Sequence, residues 1–371
     1  MRKHFVIYAL PAVLLLNVIT GCKENEDDST TTPDFSTSIT TVLSNTTSAN
    51  TTCGSATGLA KVVCLAESFK STLDATQLSA VQLTYSKANA QRWSNLPEGL
   101  YRNRVGLDLA SLDETQLAAF RDMMVAVLTL NTSNEGYDEM LGNLVADDYL
   151  NTAGGGSTYG AGNYYLAFLG IPSVTGLWEL QFGGHHYTFA NTYNNGTIAG
   201  VTPSFRAIEP MDAVSANNKN YQPMEQERQA FAAMLGALSS AEQTTAKLSS
   251  SFNDVLLGPG KDAQFPTTKQ GLQVGSLSAD KKTLVLNAIQ LYTNDLDSET
   301  ATAFLNKYTS ELDNTYIAFA GSTAVTSEND YIRIDGPSVW IEFSYQGGIV
   351  IRGTPHPHSV WRDRTSDYGG Q

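Results

Sequence analysis

The chain has 371 residues and five histidines, and four of these stand in two pairs: His185-His186 in QFGGHHYTF and His356-Pro357-His358 in GTPHPHSVWRD. Neutral imidazole is the commonest protein ligand for borderline metals, and such sites combine two or three histidines with a carboxylate. Adjacent residues on a regular strand point to opposite faces, so His185 and His186 could not both reach one ion from a strand. Gly183 and Gly184 before them relax that restriction. His356 and His358 flank a proline and, in an extended chain, project to the same side. A site drawing on His185, His186, His356 and His358 is therefore expected to hold three imidazoles, completed by Glu209 or Asp363. With an open position, zinc or iron there would activate water by lowering its pKa toward about 7. Without a metal, the same groups make an acid–base site in which Arg362 grips a substrate carboxylate or phosphate bidentately. Plainer readings stand beside these. Each pair would serve as hydrogen-bonded core histidines, Arg362 would form an ion pair with Asp363 or Asp367, and Glu209 would be an exposed loop carboxylate.

The N-terminus sets the expected compartment. MRKHFVIYALPAVLLLNVITGC has a basic start and an apolar run too short for a comfortable membrane span, which reads as a secretory signal over residues 1–21. It closes on Ile19-Thr20-Gly21-Cys22, which resembles a bacterial lipobox and implies cleavage before Cys22 and acylation of its sulfur. Two or three acyl chains anchor a protein durably, at about 0.8 kcal/mol per buried methylene. The acidic KENEDD that follows resembles a surface-export signal of some bacterial lipoproteins, so an outer-membrane or cell-surface location is expected, with periplasmic exposure the alternative. From Ser29 to Thr52, 15 of 24 residues are Ser or Thr, so residues 22–52 are expected to be a flexible tether.

The remaining span, 53–371, is long enough for one large domain with a sizeable core. A net charge of −14 leaves no electrostatic footprint for nucleic acid. Cys53 and Cys64, in an oxidising compartment, predict a disulfide. With Cys22 the only other cysteine, thiol catalysis and thiolate-rich zinc sites are not expected.

The first third reads as helical. Asp74 with Gln77 and Asp113 with Gln116 have capping-box spacing, and related starts recur at Ser239-Glu242 and, more weakly, near Ser278. Four like starts hint at a duplication, but capping chemistry alone would produce the likeness, and that is the reading adopted. Further on, Trp178, Leu180 and Phe182 share one strand face, and after Gly183-Gly184 the apolar parity moves to Tyr187 and Phe189, which predicts a glycine bulge. The last strands are predicted over 331–346, with a turn at Asp335-Gly336, and over 348–353. Helices first, then strands interrupted by helices, predict an α+β fold with a mostly antiparallel sheet, packed helices and a helical N-terminal third. The large aromatics Tyr164, Tyr165, Trp178, Trp340 and Trp361 are expected in the core.

RWSNLP (92–97), YYLAFLGIPS…WELQFGGHHYTF (164–189), VTPSFRAIEP (201–210), VWIEF (339–343) and PHPHSVWRDRTSDYGG (355–370) together resemble the family called domain of unknown function 3500, over roughly residues 65–371. The resemblance implies candidate positions and a fold but no reaction. The leading expectation is a lipid-anchored envelope protein whose histidine site hydrolyses a small molecule or polymer fragment. A non-catalytic surface module that captures a metal or small ligand is the alternative, and a scaffold with an inert histidine core the third.

Overall fold

Eight strands form the body of a twelve-stranded sheet: β1 (Tyr165–Leu169), β2 (Trp178–Gly183), β3 (Tyr187–Asn194), β4 (Ser204–Ala207), β5 (Tyr316–Ala320), β6 (Tyr331–Asp335), β7 (Val339–Gln346) and β8 (His356–Asp363). Their spatial order is β1-β2-β3-β4-β8-β7-β6-β5, and every neighbouring pair is antiparallel. The sheet thus consists of two four-stranded meanders joined through β4 and β8. The computed structural model describes residues 38–48, 50–130 and 133–371. The leader, Cys22 and the tether as far as residue 37 lie outside the described residues.

The helices repeat the same pattern. Ahead of the first meander come α1 (Ile39–Ser44), α2 (Gly58–Lys70), α3 (Ala75–Val81), α4 (Glu114–Val127) and α5 (Tyr137–Leu150). Ahead of the second come α6 (Glu225–Gly236), α7 (Ser240–Ala246), α8 (Ala279–Thr293) and α9 (Ser298–Glu311). Apart from α1 and a single-turn helix at Lys87–Ala90, each half reads four helices and then four strands. Finer details recur too. Gln82 pairs in parallel with Phe168 on β1, and Lys247 bridges in parallel to Phe319 on β5. Gly106 and Gly271, at φ +105 and +98, lie so close to β1 and β5 that a Cβ would stand 2.1 and 2.3 Å from the carbonyl oxygens of Leu166 and Ile317. Capping boxes do form at Asp74, Asp113 and Ser239. Capping explains those helix starts but not the repeated order, so the duplication is the better reading.

One face of the sheet carries the core. Phe168, Leu180, Phe182 and Phe189 pack under α2, α4 and α5, while Ile332, Ile341, Phe343 and Trp361 pack under α6, α8 and α9. The opposite face is largely polar and is covered by loops and the single-turn helix Lys87–Ala90. Gln181 donates to the carbonyl of Ala90 at 2.7 Å, and Glu342 accepts from the N–H groups of Leu256 and Leu257 at 2.7 and 2.9 Å. Between these two coverings the sheet face bearing His356 and His358 is accessible from one side.

The fold class is as expected, and Cys53 is bonded to Cys64. Three local expectations need correction. The tether does not stay free to Thr52: Ser38 caps α1, Leu43 is fully buried, and Tyr137 donates to the Leu43 carbonyl at 2.8 Å. The parity change at Gly183-Gly184 comes from a two-residue hairpin turn instead of a bulge, since Gly183 pairs with Thr188 and Phe182 with Phe189. Residues 348–353 form no strand, because the N–H groups of Ile349, Val350 and Ile351 all turn to the Glu209 carboxylate. Among the described residues no helix is long and apolar enough to cross a membrane.

Candidate metal centre

The β2–β3 turn places its two loop residues, His185 and His186, at the edge of the polar face. Gly184 N–H donates to the Tyr187 carbonyl at 2.9 Å to close the turn. Gly184 must lack a side chain, since a Cβ there would stand 2.7–2.9 Å from the Tyr164 ring. The Tyr164 hydroxyl in turn donates to the His185 carbonyl. His186 takes φ +66, a left-handed conformation uncommon outside glycine, and its N–H donates to the Asn95 carbonyl at 3.2 Å.

The second pair arrives from β8. His358 lies opposite Ala207 of β4, one step beyond the row in which Arg206 pairs with both Tyr187 and Ser359. A methyl group at 207 leaves space above the central strand, and the rings of His186 and His358 meet across it with their Nε2 atoms 3.4 Å apart. His356, two residues earlier on β8, projects to the same face, and its ring centroid is 5.2 Å from that of His186. Ligand nitrogens of His186, His356 and His358 all fall within 4.8 Å of one another.

These three residues fit a metal ion. A tetrahedral ion bound at about 2.0–2.1 Å needs neighbouring nitrogens about 3.3 Å apart, close to the His186–His358 spacing. His356 Nδ1 is buried with no hydrogen-bond partner, which is unusual for a polar atom. Burial and the adjacent His185, His358 and His356 hold the His186 imidazolium well below its usual range. Burial, then His358 and His185, pushes His356 down to about 3. Both rings are therefore neutral at pH 7 and offer lone pairs. His358 Nδ1 is oriented by Asp254 at 3.1 Å, the carboxylate–histidine pairing that leaves Nε2 for a ligand.

His185 stands beside the trio, not within it. Its Nδ1 meets Asp147 of α5 at 2.6 Å, and its ring stacks on His186 at 3.6 Å between centroids. Glu209, Arg362 and Asp363, expected to complete the site, are placed elsewhere. Glu209 is buried and accepts three backbone N–H bonds at 2.8–2.9 Å, so it shapes the 349–351 loop. Arg362 shares the histidine face but lies four residues along β8 from His358, about 13 Å at strand rise. There it is paired with Asp262 at 2.7 Å and Asp367 at 2.8 Å, the ion-pair alternative. Strand alternation sends Asp363 through to the helical face, where Lys307 and Tyr308 hold it at 2.7 and 2.9 Å.

The trio lines a cavity of about 430 Å³ whose wall also includes His185, Asp254, Asn95, Gln346 and Lys261. Sequence reasoning missed Asp147, Asp254 and Ala207. Asp147 left a trace: it continues the buried α5 face of Glu139 and Asn143 at helical spacing, an acid where the core pattern calls for an apolar side chain.

Fold and site together define an internally repeated α+β protein with a buried three-histidine, metal-compatible centre opening on a cavity. The chain belongs to the family described as protein of unknown function (DUF3500), which matches residues 55–370. No curated protein and no solved structure matches it.

Proposed function

We propose that this protein is a metal-dependent enzyme of hydrolytic type, with the ion held by His186, His356 and His358. The observation that carries the reading is the convergence of three buried imidazoles at the wall of an open cavity. Three neutral ligands leave the ion a position facing the cavity, where a bound water would be acidified for attack on a substrate. Zinc suits this ligand set best, and iron is the next candidate. A shell closed by a fourth protein ligand would instead favour capture of the metal itself, and no carboxylate joins the trio among the described residues. The substrate is a small molecule or polymer fragment outside the cytoplasm, reached by a protein anchored through acylated Cys22.

The test is elemental analysis of the full chain purified without a histidine tag. About one zinc or iron per chain is expected, lost in H186A and H358A with folding retained. Metal-free wild-type protein, or undiminished metal in both variants, refutes the site. Hydrolysis of ester, amide and phosphoester probes that stops on chelation would support the enzyme reading, and a stoichiometric metal with no such activity would favour capture. For the anchor, C22A is expected to abolish labelling by a palmitate analogue; undiminished labelling refutes it.

A further inference from the structure

We infer that the cavity takes a small amphiphilic carboxylic acid, its head at the histidine end and its apolar chain lying against Leu96, Leu100 and Ile349. The head rests on the metal reading above, while the apolar part rests on separate observations. A volume of about 430 Å³ suits one small ligand. The cavity's wall is divided in character. His186, His356, His358, Asn95 and Gln346 supply polar atoms, and Leu96, Pro97, Leu100, Val255, Pro259 and Ile349 supply apolar ones.

Three of these apolar residues are unusually exposed for their type, with Leu96 at 42%, Leu100 at 73% and Ile349 at 67% of full exposure. Scattered exposed leucines need no explanation, but three on two separate segments of one cavity do. Both segments are held in place by buried charges. Glu209 accepts the N–H groups of Ile349, Val350 and Ile351, which fixes the loop that displays Ile349. Arg104, also buried, donates to the carbonyls of Ser94, Leu96 and Tyr101, which fixes the loop that displays Leu96 and Leu100. A buried charged group turned on backbone groups at each side, with Arg104 also paired to Glu98 at 3.2 Å, is a costly way to hold apolar side chains in water. It is explained if a ligand's apolar part covers them. An ion on the three imidazoles would complement a carboxylate head, and the wall also contains Lys261, with Asp254 engaged by His358.

The experiment is calorimetric titration of the zinc-loaded full chain with acetate, butyrate, hexanoate and octanoate. Affinity is expected to rise by up to about fourfold per added methylene until the apolar wall is covered. In L100S/I349S the rise should flatten while acetate affinity is unchanged; because both residues are exposed, folding should survive, and I349S alone serves as the milder variant. No dependence on chain length, or tighter binding of glucose than of octanoate, overturns the inference and leaves the metal reading intact. A length dependence in protein that retains no zinc upholds the apolar mouth and removes only the metal reading.

Discussion

His186 offers the sharpest test of whether the β2–β3 turn is built for chemistry, because its backbone disfavours its own side chain. At φ +66 an L-residue bears a strain of about 1–2 kcal/mol, and this turn position ordinarily selects glycine or asparagine. H186A and H186G both remove the imidazole, so the difference between them isolates the backbone. Glycine escapes the strain but gives the unfolded chain extra entropy worth about 0.4–1 kcal/mol. H186G should therefore exceed H186A by roughly 0.5–1 kcal/mol, or about 1–3 °C in Tm for a chain of this size. The assay is thermal unfolding in the presence of a chelator, followed by the same scan with zinc. Zinc at a hundredfold excess over Kd should stabilise the wild type by about 2.7 kcal/mol and neither variant. Equal or lower stability of H186G would refute the strained turn. Stabilisation of either variant by zinc as strong as that of the wild type would refute ligation by His186.

A207L puts a branched side chain where His186 and His358 converge across β4, so metal content should fall sharply at a cost of about 1–3 kcal/mol in stability; full metal retention would contradict the spacer role. Burial pushes the Glu179 carboxyl from 4.5 up to about 7, against hydrogen bonds from Thr192 and Gln181. The folded state holds that proton more tightly than the unfolded chain, so its contribution is full below about pH 4.5 and declines by roughly 3 kcal/mol as pH rises toward 7. E179Q should flatten this slope in denaturant unfolding across pH, and an unchanged slope would exclude Glu179 as its source. The Cys53–Cys64 bridge closes a short loop, with a sequence separation of 11, so C53S should cost about 3 kcal/mol; a Tm equal to that of the oxidised wild type would show that the bridge contributes nothing.

Much of this arrangement is written locally in the sequence. Asp74-Gln77 and Asp113-Gln116 announce helix starts because a capping box needs only residues three apart. The faces of β2 and β3 follow from period-two alternation, and His356 and His358 share a side for the same reason. What is not local is not legible. Asp147 finds His185 across 38 residues and Asp254 finds His358 across 104, and no spacing rule links either pair. Alternation also separates Asp363 from His358, a conflict already visible in the sequence that the expected ligand set overlooked. Glu209 misled for a different reason: a carboxylate beside two histidine motifs reads as a ligand, yet three free N–H groups at 349–351 satisfy it more fully.

The repeated architecture explains why the centre belongs to neither half alone. His186 comes from the turn between the second and third strands of the first meander, and His356 and His358 from the last strand of the second. Only the antiparallel pairing of β4 with β8 brings them together, so the centre is a product of the joint between repeats. A repeated joint offers two equivalent ends. At the other end the corresponding turn, Gly336 to Val339, closes with the same hydrogen bond, Gly336 N–H to the Val339 carbonyl at 2.7 Å. Its loop residues are Pro337 and Ser338, where the first turn has His185 and His186. Toward that end of β8, Arg362 is enclosed by Asp262 and Asp367, with Tyr368 donating to Asp262 at 2.6 Å. A paired guanidinium has no lone pair to give and little reason to open. At the histidine end, His186 and His356 are held neutral by burial and offer lone pairs, and His356 Nδ1 has no hydrogen-bond partner. The two ends of one scaffold are thus settled in opposite ways, one closed internally by ion pairs and the other carrying a buried three-histidine cluster compatible with a metal ion.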